Sequence, residues 1–110
     1  MMGLVVVDEL EGLGRFSDPS LLILSSLTQG PKHGYAITKD IEAFGGVSLG
    51  AGTLYGALSR LEARGLIEAL PAEERRRPYR LTSLGAQVLA AQLRGLRSFA
   101  ATGLARLGIA

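Results

Sequence analysis

Three consecutive arginines, Arg75, Arg76 and Arg77, are the densest charge in this sequence, and they follow Glu73 and Glu74 in a stretch otherwise made of proline and alanine. Guanidinium groups on such a tip can reach backbone phosphates or enter a minor groove, giving affinity for a polyanion with little sequence information. Taken alone, a charged run of this kind is more often simply solvated. Its neighbours decide between the two.

A second candidate surface lies upstream. On a helical wheel over residues 51–64, Leu54, Leu58 and Leu61 share one face, and Gly52, Gly56, Ser59, Arg60 and Ala63 the other, flanked by Thr53 and Tyr55. A helix meant only for water usually carries longer charged side chains there. One that lies in a DNA major groove needs small residues for close approach and a few donors for base edges. Arg60 has the reach to address guanine, and Ser59 or Thr53 a phosphate or a base edge. Lys32, Tyr35 and Lys39, at the front of the preceding helix, would add phosphate contacts, and Ser48 and Tyr55 complete the candidate DNA-binding set.

The same inventory argues against catalysis. Without cysteine there is no thiolate nucleophile, thiolate metal site or disulfide framework. His33 is the one histidine, which leaves a multi-histidine metal site or a serine–histidine–aspartate triad with little support. Gly50, Gly52 and Gly56 have neither the spacing nor the preceding strand of a nucleotide-binding loop. No catalytic residue, metal ligand or cofactor is expected, and the chain does not read as an enzyme.

The elements that must carry these surfaces are mostly helical. Asp18 followed by Pro19 is a helix start, an N-cap acceptor and then a proline at the first helical position. This helix, over residues 19–28, has leucine and isoleucine around most of its circumference and is expected to be buried on more than one side. Gly30 and Pro31 stop it. A second helix spans residues 34–44, with Ile37, Ile41 and Phe44 on one face and Tyr35 and Lys39 on the other. Gly45 and Gly46 end it, and a short linker leads to the helix over residues 51–64, with Ser48 as its expected N-cap and Gly65 as its stop. Two short helices joined by a glycine turn make a helix-turn-helix.

Past Gly65 the period changes. Residues 66–70 and 78–82 read as two short strands around the charged stretch 71–77, a hairpin wing that puts the three arginines at its tip. Thr82 then caps a final helix reaching about residue 107, which at ~1.5 Å per residue spans roughly 40 Å. Along it Leu89, Leu93, Leu96, Ala100, Gly103 and Leu107 alternate by four and three, the spacing of a helix-packing seam. So long a helix overhangs so small a body, which favours an intermolecular seam, with Leu21 and Leu24 of the first helix beside it.

The expected fold class is therefore mainly α with a small β-hairpin. It comprises a winged helix-turn-helix over residues 17–82 and a C-terminal dimerisation helix over 83–110, preceded by an N-terminal arm over 1–16 to which no role is assigned. Composition agrees with one folded domain: 110 residues, 47% hydrophobic and 20% charged. Charge is uneven. Residues 1–18 hold four acidic residues and one arginine, and the rest hold eleven basic against six acidic, with none acidic after Glu74. That asymmetry suggests a polyanionic partner. The longest apolar runs fall far short of the roughly 20 residues of a membrane span. The first basic residue, Arg15, follows three acidic ones, unlike a secretory signal. The expected location is the cytoplasm.

Several of these blocks, in this order, resemble the PadR-like transcriptional regulators, winged-helix repressors. The resemblance runs from Leu21 to Leu89. It rests on Leu21-Leu22-Ile23-Leu24, on Gly30-Pro31-Lys32-His33-Gly34-Tyr35, on Gly52-Thr53-Leu54-Tyr55 with Leu58, Arg60 and Leu61, on residues 62–67, and on Tyr79-Arg80-Leu81-Thr82 with Gly85. It implies a homodimer whose last helix, with the first, builds the interface, and whose third helices enter the major groove of a pseudo-palindromic operator. The length is similar to that of the short subfamily with a single C-terminal helix. A small hydrophobic effector at the dimer interface is a further partner that the resemblance implies. In drug-sensing members aromatic residues line that pocket, whereas this chain has no tryptophan, and Phe99 is the one aromatic of its last helix. Gly56 stands where the family commonly has proline.

Two readings follow. The first is a sequence-specific regulator of double-stranded DNA acting as a dimeric repressor, with half-sites about one turn (~34 Å) apart. The alternative is a winged-helix protein-interaction module that keeps the fold without the DNA function. Retention on a nonspecific polyanion at low salt separates them.

Overall fold

The computed structural model describes residues 18–109; the arm expected over residues 1–16 lies outside them. The chain runs α1 (Pro19–Ser26), a 3-10 turn (Leu27–Gln29), β1 (Lys32–His33), α2 (Gly34–Gly45), α3 (Ala51–Ala63), β2 (Ile67–Ala69), β3 (Pro78–Leu81) and α4 (Ser83–Leu107). Asp18 caps α1 as the sequence predicts: its Oδ1 accepts the Ser20 N–H at 2.9 Å, and Pro19 opens the first turn.

Helix α1 is the centre of the core. Leu22, Ile23, Leu24 and Leu27 are all buried, and they meet Ile37 and Ile41 of α2, Leu54, Ala57, Leu58 and Leu61 of α3, and Leu66, Ile67 and Leu89 beyond. Each such side chain contributes on the order of 1.5–3 kcal/mol by leaving water. Phe44, on the same sequence face as Ile37 and Ile41, lies half exposed at the end of α2. Gly46, in the left-handed region at φ 66°, closes that helix.

Among the described residues, one polar side chain lies within the core. Ser26 Oγ donates to Asp40 Oδ2 at 2.7 Å, and the Lys32 ammonium bonds the Ser26 carbonyl and sits 3.6 Å from the same carboxylate oxygen. The group ties the end of α1, β1 and the middle of α2 together. Asp40→Ala leaves the buried Ser26 hydroxyl and the Lys32 ammonium without that acceptor. A loss of about 1–3 kcal/mol in urea unfolding is expected, and an unchanged midpoint would mean water replaces the carboxylate at no cost.

Two expectations for the middle of the chain change. Helix α3 has Gly50 as its N-cap, with no side-chain cap bond, whereas Ser48 donates to Glu42 Oε2 at 3.0 Å and so braces the linker against α2. The hairpin is also part of a three-stranded antiparallel sheet, in the order β1-β3-β2. Lys32 pairs with Tyr79 and His33 with Pro78, while Ile67, Glu68 and Ala69 pair with Leu81, Arg80 and Tyr79. Arg80 forms an ion pair with Glu68 across that ladder.

Helix α4 is anchored at its first turn. Thr82 Oγ1 accepts the Gly85 N–H at 2.9 Å and donates to the Gly65 carbonyl at 2.7 Å, and the Thr82 N–H donates to the Leu66 carbonyl at 3.1 Å. Gly85 packs so tightly there that a Cβ would fall 2.0 Å from the Leu66 oxygen. Beyond Leu89 no residue of α4 is buried, and the helix lengthens the molecule to 52 × 26 × 20 Å.

Candidate nucleic-acid interface

Helix α3 turns its leucines inward and its small, polar face outward. Leu54, Ala57, Leu58 and Leu61 are buried, whereas Gly52, Thr53, Tyr55, Ser59, Arg60 and Ala63 are exposed. The Arg60 guanidinium lies across Gly56, where a Cβ would come within 3.5 Å of Nη1. The face is low, with one long cation resting along it.

The wing stands beside this helix. Glu73 and Arg76 exchange backbone hydrogen bonds at 2.7 and 2.9 Å around a tight turn in which Glu74 adopts φ 59°. Every residue from 71 to 77 is exposed. Arg77 Nη1 donates to the Leu70 carbonyl at 3.2 Å, and Arg76 Nη1 comes within 3.3 Å of His33 Nε2. His33 is itself the N-cap of α2, its Nδ1 facing the Ala36 N–H at 3.4 Å. One side chain thus touches both the wing and the helix-turn-helix.

A cleft of about 340 Å³ opens where these parts meet. It is walled by His33, Gly34 and Tyr35 at the start of α2, Tyr55 of α3, Arg75, Arg76 and Arg77 of the wing, and Tyr79 of β3. The approach at Gly34 is close: a Cβ there would fall 2.4 Å from the Tyr55 hydroxyl, so a side chain would have to displace that ring. Burial pushes the Tyr79 phenol above its usual value, the negative charge of Glu62 and the neighbouring Tyr55 add to the rise, and Arg77 opposes it. At physiological pH Tyr79 is a neutral hydroxyl donor, as an ordinary tyrosine is.

A raised folded-state value means stability present below the ordinary tyrosine pKa of 10.0 and lost as pH climbs past it. In an ultraviolet titration of the three phenols, one should ionise later than an ordinary tyrosine and be missing from Tyr79→Phe. Three phenols titrating together at the ordinary value would contradict the burial of this ring.

Of the residues marked in the sequence, Tyr35, Thr53, Tyr55, Ser59, Arg60 and the three arginines lie exposed on or beside these two elements. Lys32 does not take the place expected of it, because its ammonium is engaged by Ser26 and Asp40. Lys39 is exposed, 3.5 Å from Glu42 Oε1 and 5.6 Å over the Tyr35 ring, and Ser48 is held by the same glutamate. His33 and Tyr79 were missed as members of the site. Nothing local marks them, since both reach it by strand pairing.

The residues marked for a seam divide. Leu24 and Leu89 are buried in the chain's own core. Leu93, Leu96, Ala100, Gly103 and Leu107 remain wholly or partly exposed along α4, and Leu84, Phe99, Leu104 and Ile109 join them, Phe99 at 77%. Between α1 and α4 lies a groove of about 500 Å³ floored by Leu21, Leu24, Val88 and Leu96, with Asp18 and Arg64 on its walls.

The family profile described as "Transcriptional regulator PadR-like family" matches residues 23–91, from α1 into α4. The chain belongs to this family. PadR-like proteins are transcriptional regulators that bind DNA, not enzymes. The winged-helix architecture agrees with solved structures. A transcriptional regulator from Clostridium thermocellum is 31% identical, with 76% of this chain and 84% of that one covered at a TM-score of 0.69. A PadR family transcription regulator from hypervirulent Clostridium difficile R20291 is 29% identical, with 81% and 96% covered at 0.69. Among curated proteins, an uncharacterized 37.1 kDa protein in transposon TN4556 of Streptomyces fradiae is 48% identical over 75 residues, 68% of this chain. The match spans only 22% of that relative's length. Among the described residues, no helix is long and apolar enough to cross a membrane.

Proposed function

We propose that this PadR-like chain is a sequence-specific regulator of double-stranded DNA that acts as a homodimeric repressor in the cytoplasm. The observation that carries the proposal is one juxtaposition: Tyr55, at the flank of the low, polar face of α3, walls the same cleft as the three exposed arginines of the wing tip. Residues 17–82 would be the reading unit. Helix α3 would enter the major groove, with Arg60, Ser59 and Thr53 toward base edges, while Arg75, Arg76, Arg77, Tyr35 and Lys39 hold phosphates and fix the register.

Residues 83–110 would join two copies. The exposed seam of Leu93, Leu96, Ala100, Gly103 and Leu107, widened by Leu104 and Phe99, is an apolar strip of the kind that partner subunits cover. The groove between α1 and α4 is where a small hydrophobic effector would alter the spacing of the two reading helices.

The test is a fluorescence-anisotropy titration of the chain into duplex DNA from immediately upstream of its own coding region, against a shuffled duplex, at two salt concentrations. Preference for the upstream duplex, two protomers per duplex and a steep salt dependence are expected. No binding to either duplex at low salt would favour a winged-helix interaction module.

A further inference from the structure

The cleft at the root of the wing has a composition that a backbone phosphate alone does not explain. The chain contains three tyrosines, no tryptophan and one histidine, and all three tyrosines and the histidine line this one cavity together with three arginines. Among the described residues, no carboxylate lines it. Tyr35 and Tyr55 are more than half exposed, so their rings present surface to an incoming molecule, and Tyr79 forms a more buried part of the wall.

We propose that this cleft is a binding site for a small molecule that joins a planar aromatic ring to an oxyanion, of the class of a nucleoside monophosphate, and that its occupancy competes with DNA. Arginine's planar fork matches an oxyanion's geometry, while phenol rings and guanidinium planes stack on a base. The volume, about 340 Å³, lies within the range of small-ligand pockets. A duplex presents phosphates to the wing but keeps its bases in the stack, and taking one out costs a few kcal/mol. The aromatic walls therefore suit a free ring better than a duplex. Tyr79, held as a neutral phenol, can donate to the oxyanion without repelling it.

Competition follows from shared residues. The arginines that would hold the ligand's phosphate are those proposed for the DNA backbone, so the regulatory half of this inference rests on the DNA-binding reading, whereas the site itself does not.

The experiment uses the full chain with its tyrosine rings carbon-13 labelled, titrated with adenosine monophosphate, with adenosine, and with inorganic phosphate, all at one ionic strength. Adenosine monophosphate should shift all three ring signals saturably, and each half-ligand should bind at least about tenfold more weakly. Replacing Arg75, Arg76 and Arg77 with alanine, or Tyr35 alone with alanine, should weaken binding by a similar factor without loss of the folded spectrum. In a DNA anisotropy assay the nucleotide should release the duplex with a midpoint set by the affinity measured in the titration. Absence of saturable shifts, equal binding of phosphate alone, or equal binding by the arginine variant would each overturn the site. Nucleotide binding that leaves DNA affinity unchanged would overturn the competition. A chain that binds nucleotide but no DNA would keep the site and refute the DNA reading instead.

Discussion

Gly85→Ala is expected to remove at least about 3 kcal/mol of stability, a large part of the ~5–15 kcal/mol that holds an ordinary domain together. The new methyl group would meet the Leu66 carbonyl oxygen at 2.0 Å and its carbon at 2.9 Å, and both atoms are backbone. A flexible side chain could swing away, but here the strand end or the helix must move. Three hydrogen bonds through Thr82, to Gly65, Leu66 and Gly85, depend on the present distance. Overpacking a core commonly costs 1–3 kcal/mol, and an obstruction by fixed backbone belongs at or above the top of that range. In urea unfolding the midpoint should fall by more than 1 M, given slopes of ~1–3 kcal/mol/M for small proteins. Gly95→Ala is the control: nothing lies within 4 Å of its Cβ position, and mid-helix alanine should add up to about 1 kcal/mol. If Gly85→Ala unfolds like the parent, α4 is not locked to the strand end as described.

The second large effect concerns binding. With Arg75, Arg76 and Arg77 all changed to alanine, affinity for every duplex should drop about 100-fold for each subunit engaged, taking about 1 kcal/mol for each exposed charge-assisted contact. Each arginine that neutralises a phosphate contributes about 0.9 to the slope of log affinity against log salt, so the slope should shrink by about 2–3 per subunit. Preference for one sequence over another should change little, because phosphate contacts carry register and not sequence. Thermal stability should stay within about 0.5 kcal/mol, since residues 71–77 are exposed and contribute nothing to the core. Anisotropy at several salt concentrations, with melting measured in parallel, checks all three statements. A variant with the parent's salt slope would remove the wing from the interface.

What the sequence made legible was whatever depends on neighbours along the chain. Asp18 with Pro19, Gly65 after a leucine stripe, and Thr82 three residues before Gly85 are local devices, and each ends or begins an element where expected. The hairpin was equally local. Strand β1 was not, because two residues carry no period, and Lys32 and His33 become a strand only by meeting Tyr79 and Pro78. The same distance hid the role of Lys32: its carboxylate partner is eight positions on, and the Ser26 carbonyl it bonds closes the preceding helix. Ser48 was misjudged because N-cap preference ranks residue types, whereas dihedral angles two residues later made Gly50 the cap. For the interface, the outward face of α3 was readable from its wheel. The cleft was not, since it forms from four separate stretches of chain.

The wing divides into a base and a tip that answer to different constraints. At the base, Tyr79 and Pro78 pair with β1 and Tyr79 again with Ala69, so a change there disturbs the sheet and the start of α2 together. At the tip, seven consecutive residues are exposed and none belongs to the core cluster. Substitutions, insertions or charge reversals in the tip can therefore accumulate without unfolding the protein. Among descendants of this chain, variation should concentrate between Pro71 and Arg77 while Tyr79 and Gly85 stay fixed, so that regulators with different affinities for DNA can diverge on one unchanged scaffold.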